Sequence, residues 1–225
     1  FYLVYTDVKH SGGIWKDTPN YLVMTDDIYG DWSDPIYLNS SGFDPSLFHD
    51  EDGRKWLVNL VYDHRKGKNT FGGILLQEYS PEEKRLVGPI KNIFRGTELG
   101  FTEGPHLYKK DGYYYLLTAE GGTWYDHAVT IARSRNIDGP YEVHPDNPLL
   151  TSKGDPSLAL QRAGHADLVE TQDGEWYMVH LCSRPLAGRQ RSILGRETAI
   201  QKIEWREGWP YLVEGGNKPA VKVPA

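Results

Sequence analysis

Three stretches of the chain align without a gap. They read Asp44-Pro-Ser-Leu-Phe-His-Asp-Glu-Asp-Gly53, Glu103-Gly-Pro-His-Leu-Tyr-Lys-Lys-Asp-Gly112 and His165-Ala-Asp-Leu-Val-Glu-Thr-Gln-Asp-Gly174. Each ends in Asp-Gly and runs on into apolar or aromatic residues: Trp56-Leu57-Val58, Tyr113 to Leu117, and Trp176 to Val179. Asp-Gly between two apolar runs is a strong hairpin signal, because a type I′ turn needs positive φ at both central residues. Each stretch is therefore expected to be a strand, a two-residue turn and a second strand. The stretches recur about every 60 residues, which is the signature of a repeat architecture.

Further strand candidates fill the intervals: Gly73–Tyr79, Val129–Ser134 and Tyr141–Val143. A second echo links Thr25-Asp-Asp-Ile-Tyr-Gly30-Asp-Trp32 to Ser134-Arg-Asn-Ile-Asp-Gly139-Pro-Tyr141. Each repeat then holds about four strands, the content of one β-propeller blade. No segment keeps a 3.6-residue apolar period with caps, so helices should be few. The expectation is an all-β chain, residues 1–225 forming a single, partial propeller domain. Phe1–Asp7 matches the second strand of a repeat whose first strand is not in the sequence. Glu197–Trp205 followed by Gly208-Trp209 reads as a last hairpin. The chain is expected to be an internal piece of a longer protein. Its open strand edges should favour homo-oligomers or association with the missing N-terminal segment.

Charge narrows the partners. Lys and Arg number 25 against 31 Asp and Glu, a net charge of −6. That balance argues against nucleic acid and anionic membranes, which select basic faces. No apolar run approaches the roughly 18 residues of a membrane helix. Cys182 is the single cysteine, which excludes an internal disulfide and a Cys-rich zinc site and leaves the compartment open. Seven Trp, 15 Tyr and 6 Phe mean that the blades must pack largely through rings.

The aligned stretches place Asp44, Glu103 and His165 at the same first position. In a propeller the innermost strands ring a channel, so equivalent strand starts should converge on one mouth. Two carboxyl groups and an imidazole there suit acid–base chemistry. Each has a structural alternative: an Asx turn at Asp44-Pro45, a solvated turn at Glu103, a core histidine at His165. Tyr62, Asp63, Arg65 and Phe71 fall on or near an inter-strand loop where a pocket rim is expected. Thr123, after Gly121-Gly122, is a pocket hydroxyl or a turn residue. Arg196 either serves the site or pairs with Glu197.

The residues around these positions resemble glycoside hydrolase family 43, and most closely its β-xylosidases. The resemblance lies in Gly42-Phe-Asp44-Pro-Ser-Leu-Phe-His-Asp, Thr102-Glu103-Gly-Pro-His-Leu-Tyr, Thr118-Ala-Glu-Gly-Gly-Thr123, Gly164-His165-Ala-Asp-Leu-Val-Glu-Thr and Leu194-Gly-Arg196-Glu-Thr-Ala-Ile-Gln. It implies a five-bladed β-propeller, with the first blade and part of the second absent from this chain. It implies inverting, exo-acting hydrolysis of xylo- or arabino-oligosaccharides: a β-1,4-xylosidase that can also act as an α-L-arabinofuranosidase. Glu103 matches the general acid and Asp44 the carboxylate that tunes its pKa and orients the sugar. His165 matches a channel histidine that binds substrate and is often tied to calcium, Arg196 a sugar-binding arginine. The remaining pocket candidates are Tyr62, Phe71 and Thr123. The catalytic base has no counterpart in the chain, so the chain alone is expected to be inactive, and Asp63 and Asp167 are the carboxylates that could stand in. The stretch Pro185–Ile193 is shorter than the family's loop there. A non-catalytic carbohydrate-binding propeller is the alternative reading.

Overall fold

A computed structural model describes residues 1–12, 15–186 and 190–224, so residues 187–189 of the short loop lie outside it. The described residues form strands and turns, with no helix. Strands β1 (Tyr2–Thr6), β2 (Asn20–Met24) and β3 (Ile36–Asn39) make a three-stranded antiparallel sheet in the order β1-β2-β3. β4 (Ser46–His49), β5 (Lys55–Tyr62), β6 (Phe71–Ser80) and β7 (Arg85–Phe94) follow as an antiparallel meander. β8 (Glu103–Lys110), β9 (Tyr113–Glu120), β10 (Ala128–Ser134), β11 (Glu142–Val143) and β12 (Leu150–Thr151) form a sheet in the order β11-β10-β9-β8, with β12 on β10. β13 (Gln161–Glu170), β14 (Trp176–Ser183), β15 (Glu197–Arg206) and β16 (Trp209–Leu212) repeat the meander. Four consecutive up-and-down sheets are what propeller blades look like in sequence order.

The chain divides into two compact units. The first comprises residues 1–96, 102–116 and 134–141, the second residues 97–101, 117–133 and 142–225.

In the first unit the period of two explains the packing. Val58 and Leu60 on β5 pair with Leu76 and Ile74 on β6 and point to one face, where Ile93, Leu107 and Leu116 join them. Leu57 and Tyr79 point to the other face and meet Leu22 and Leu38. Both faces are buried, so β5 reads as a near-continuous apolar run. Each such side chain contributes roughly 1.5–3 kcal/mol.

The hairpins correct the turn expectation. Only Asp111-Gly112 has positive φ at both residues (50° and 74°), as type I′ requires. The other two are longer. Gly53 N donates to Asp50 O and Asp50 N to Arg54 O, and Gly174 N and Thr171 N repeat the pattern on Thr171 O and Glu175 O. Only the glycine has positive φ in each. These are type I turns closed by a left-handed glycine, the usual three- to five-residue hairpin. Asp50 explains the extra length at the first. Its carboxylate accepts from Glu51 N (2.7 Å), Lys109 Nζ (2.8 Å) and Tyr114 OH (2.7 Å), which ties this turn to the next hairpin. The second sequence echo is a real structural repeat. Asp27 N donates to Thr25 Oγ1 and Asn136 N to Ser134 Oγ, and Gly30 N and Gly139 N close onto Asp27 O and Asn136 O.

Candidate active site

The three aligned polar residues occupy related but not identical places. Glu103 is the first residue of β8, Asp44 lies just ahead of β4, and His165 sits inside β13. β13 starts earlier than the repeat suggests because its pairing with β14 shifts between Gln161 and Gly164 and again between Gly164 and Ala166. That β-bulge carries His165. Asp44 (φ 53°), Gly104 (φ 55°) and His165 (φ 48°) are all left-handed. Strained backbone of this kind persists only where the surroundings impose it, and it concentrates at functional sites.

Asp44 is held from below. Gly42 lies so close to β5 that a Cβ there would come within 2.0 Å of Leu60 O, so only glycine fits. Leu60 N donates to Phe43 O and Tyr62 N to Ser41 O. A chain of amides backs the segment: Asn20 Nδ2 donates to Gly42 O (3.0 Å) and Asn39 Oδ1 (2.8 Å), and Asn59 Nδ2 to Ser41 Oγ (3.0 Å). The Asp44 carboxylate then accepts from Gly104 N at 3.1 Å. Asp44 therefore rests on the amide next to Glu103, a residue only 8% exposed. The carboxylate positions of two repeats meet within the first unit.

Phe43, Tyr62 and Phe71 surround the same segment. Their ring centroids are 6.0–6.3 Å apart, two of the three contacts edge-on. Tyr62 ends β5, Phe71 begins β6, and the two pair across the loop; Phe43 was not foreseen. Asp63 is taken by Arg65 through Nε (2.8 Å) and Nη2 (2.6 Å). The Arg65 hydrogen bond holds its carboxyl at about 2, which makes Asp63 a poor substitute base.

In the second unit Glu120 is fully buried, and its carboxylate accepts from Thr97 N (3.0 and 3.2 Å) and from Thr97 Oγ1. Gly121 N donates to Gly100 O. Gly121 has φ 76°, and a Cβ would fall 2.1 Å from Asp126 O. These constraints place the exposed Thr123. Glu197 is paired with Arg184 through Nε (3.1 Å) and Nη2 (2.5 Å), so the pairing of Arg196 with Glu197 does not form. Among the described residues Arg196 has no ion pair and is exposed.

The sequence profile of glycosyl hydrolases family 43 matches residues 1–210. The chain belongs to this family. Among family 43 relatives it is 62% identical over 216 residues to the xylosidase/arabinosidase 43B of Humicola insolens, covering 96% of this chain and 40% of that protein. It is 58% identical over 233 residues to the beta-xylosidase of Bacillus subtilis strain 168, covering all of this chain and 44% of that protein. The crystal structure of xylan beta-1,4-xylosidase from Bacillus halodurans C-125 superposes with a TM-score of 0.96 at 66% identity, over 99% of this chain and 43% of that one. The chain thus spans less than half the length of these relatives.

The calcium expected at His165 finds little support in its donors. Among the described residues no group of three His, Cys, Asp or Glu side chains is placed to hold a metal. Calcium takes six to eight oxygen ligands, and an imidazole contributes none. No step below is routed through a metal.

His127, just ahead of β10, is only 1% exposed. Its Nδ1 lies 3.1 Å from Arg162 O. Burial pushes the imidazole down to about 4, and the nearby His165, Arg196 and His180 act in the same direction. The unfolded chain takes up a proton below the ordinary 6.5, whereas the folded one resists until about 4. The neutral imidazole therefore contributes about 3 kcal/mol above pH 6.5, and this is lost as pH falls toward 4. Burial lowers His180 and His144 as well. Urea midpoints should accordingly fall steeply between pH 6.5 and 4, and His127→Phe should flatten that slope. An unchanged slope in the variant would refute the assignment.

Proposed function

We propose that this family 43 chain is the acid-bearing part of an exo-acting, inverting β-xylosidase with α-L-arabinofuranosidase activity. Its fold is then a five-bladed propeller whose first blade and part of the second lie outside residues 1–225. The observation that carries the reading is the hydrogen bond from Gly104 N to Asp44, which sets a carboxylate beside the buried Glu103. The names of the relatives at 58–62% identity support the substrate class.

The roles follow from the chemistry. Inversion uses one carboxyl group as acid and another, roughly 6.5–9.5 Å away, as base toward water. Glu103 gives its proton to the leaving oxygen. An ionised Asp44 beside it opposes the loss of that proton by like-charge repulsion. Tyr62 and Phe71 offer ring faces to the sugar. In the second unit Arg196, His165 and Thr123 carry donor groups suited to sugar hydroxyls. The base is supplied by sequence outside this chain.

The test uses the full-length protein on an aryl β-D-xylopyranoside and an aryl α-L-arabinofuranoside, with the first-formed sugar read by NMR. Turnover of the xyloside with α-xylose appearing first is expected. Turnover of neither, or β-xylose appearing first, would overturn the reading.

A further inference from the structure

The second unit contains a clasp that the catalytic reading does not use. His127 lies just ahead of β10, behind the bulge of β13. Its Nδ1 meets Arg162 O at 3.1 Å, and a neutral imidazole bonded to a carbonyl must be the donor there. Its ring fills the space that Gly164 leaves empty: a Cβ on Gly164 would stand 2.5 Å from ring atoms Cγ and Cδ2. Both bulge residues on either side of this contact, Arg162 (φ 54°) and His165 (φ 48°), are left-handed. His127 O in turn accepts from Thr151 Oγ1 at 2.7 Å. The Arg162 guanidinium closes the clasp, lying 4.3 Å from the ring centroid of Trp124 and 4.7 Å from that of Tyr125. The segment after Thr123 and the bulge carrying His165 are therefore fastened at three points.

We propose that His127 is a positioning residue for His165. Its Nδ1–H holds the Arg162 carbonyl, and its ring, seated on Gly164, fixes the bulge that turns His165 out of the strand's regular alternation. The inference rests on the reading of His165 as a sugar-contacting residue. A bulge re-aims one side chain at the expense of ladder hydrogen bonds, and here the carbonyl freed by the bulge is satisfied by His127. Hydrogen bonding through Nδ1 leaves Nε2 buried without a partner.

The experiment is a double-mutant cycle in the full-length enzyme. His127→Leu keeps bulk and loses the donor. His127→Asn keeps a donor near the place of Nδ1. Gly164→Ala keeps every hydrogen-bonding group and displaces the ring. His127→Leu and Gly164→Ala should each lower kcat/KM for an aryl xyloside by about 10²-fold, the cost of a misplaced contact. His127→Asn should restore most of it. In a His165→Ala background His127→Leu should cost less than about 3-fold more, because coupled sites are not additive. A loss of equal size in both backgrounds marks a merely structural role and overturns the proposal. The His165 ring resonances, followed by ¹⁵N NMR, give a readout independent of turnover. They should move in His127→Leu and stay in His127→Asn, and no movement overturns the proposal. An inactive parent whose His165 resonances still respond to His127→Leu would sink the xylosidase reading and keep the clasp.

Discussion

Glu103→Ala in the full-length enzyme should lower turnover of xylobiose by about 10²–10⁴-fold, the usual contribution of a positioned general acid. The same variant should lose far less on a dinitrophenyl xyloside. A sugar alkoxide is a poor leaving group and needs its proton in the transition state; a dinitrophenolate does not. The contrast between substrates separates catalysis from structure. Glu103 starts β8 and is nearly buried, so a residue that merely held the strand would depress both activities and the Tm together. Equal losses on the two substrates would remove Glu103 from the acid's role.

The repeat was legible because its punctuation is chemical. Asp-Gly ends each aligned stretch, and a hairpin follows each one. The turn type was legible only at Asp111-Gly112. At Asp50–Arg54 and Thr171–Glu175 the chain makes a longer turn, because the outcome depends on where the flanking strands stop pairing. That is a tertiary quantity: the Asp50 carboxylate is engaged by Lys109 and Tyr114 of another hairpin. The proximity of Asp44 and Glu103 followed from register alone, since Asp44 lies just ahead of the first strand of its meander and Glu103 begins the first strand of the next. Register failed by a few residues at His165. A bulge adds a residue without changing composition, so nothing in Gln161-Arg-Ala-Gly-His165 announces it. His127 was equally hidden. One histidine before an apolar run carries no spacing signal, and its partners, Arg162 and Gly164, are distant in sequence. Of the two readings open for Arg196, pairing with Glu197 is the one that does not form: Arg196 lies just ahead of β15, and Glu197, its first residue, binds Arg184.

Asp44→Asn should isolate the electrostatic part of the site. Asparagine tolerates the left-handed backbone that Asp44 adopts (φ 53°), as few other residues do. It also keeps a side-chain oxygen to accept from Gly104 N. The variant therefore changes charge while the segment Gly42-Phe43 stays laced to β5, and the Tm should move little. Activity should not survive so well. Without a neighbouring negative charge the acid releases its proton more readily, so the active, protonated form gives way at a lower pH. The alkaline limb of kcat/KM should move down by about one pH unit or more, with a loss of about 10²-fold at neutral pH. At pH values well below the new limb part of that loss should be recovered. Asp44→Ala should behave differently. It removes the acceptor and places a residue less tolerant of positive φ at a strained position, so about 1–3 kcal/mol of stability should go with the activity. An alkaline limb that stays in place in Asp44→Asn would mean that Asp44 serves by binding Gly104 and the sugar, and that the acid's proton is held by another group.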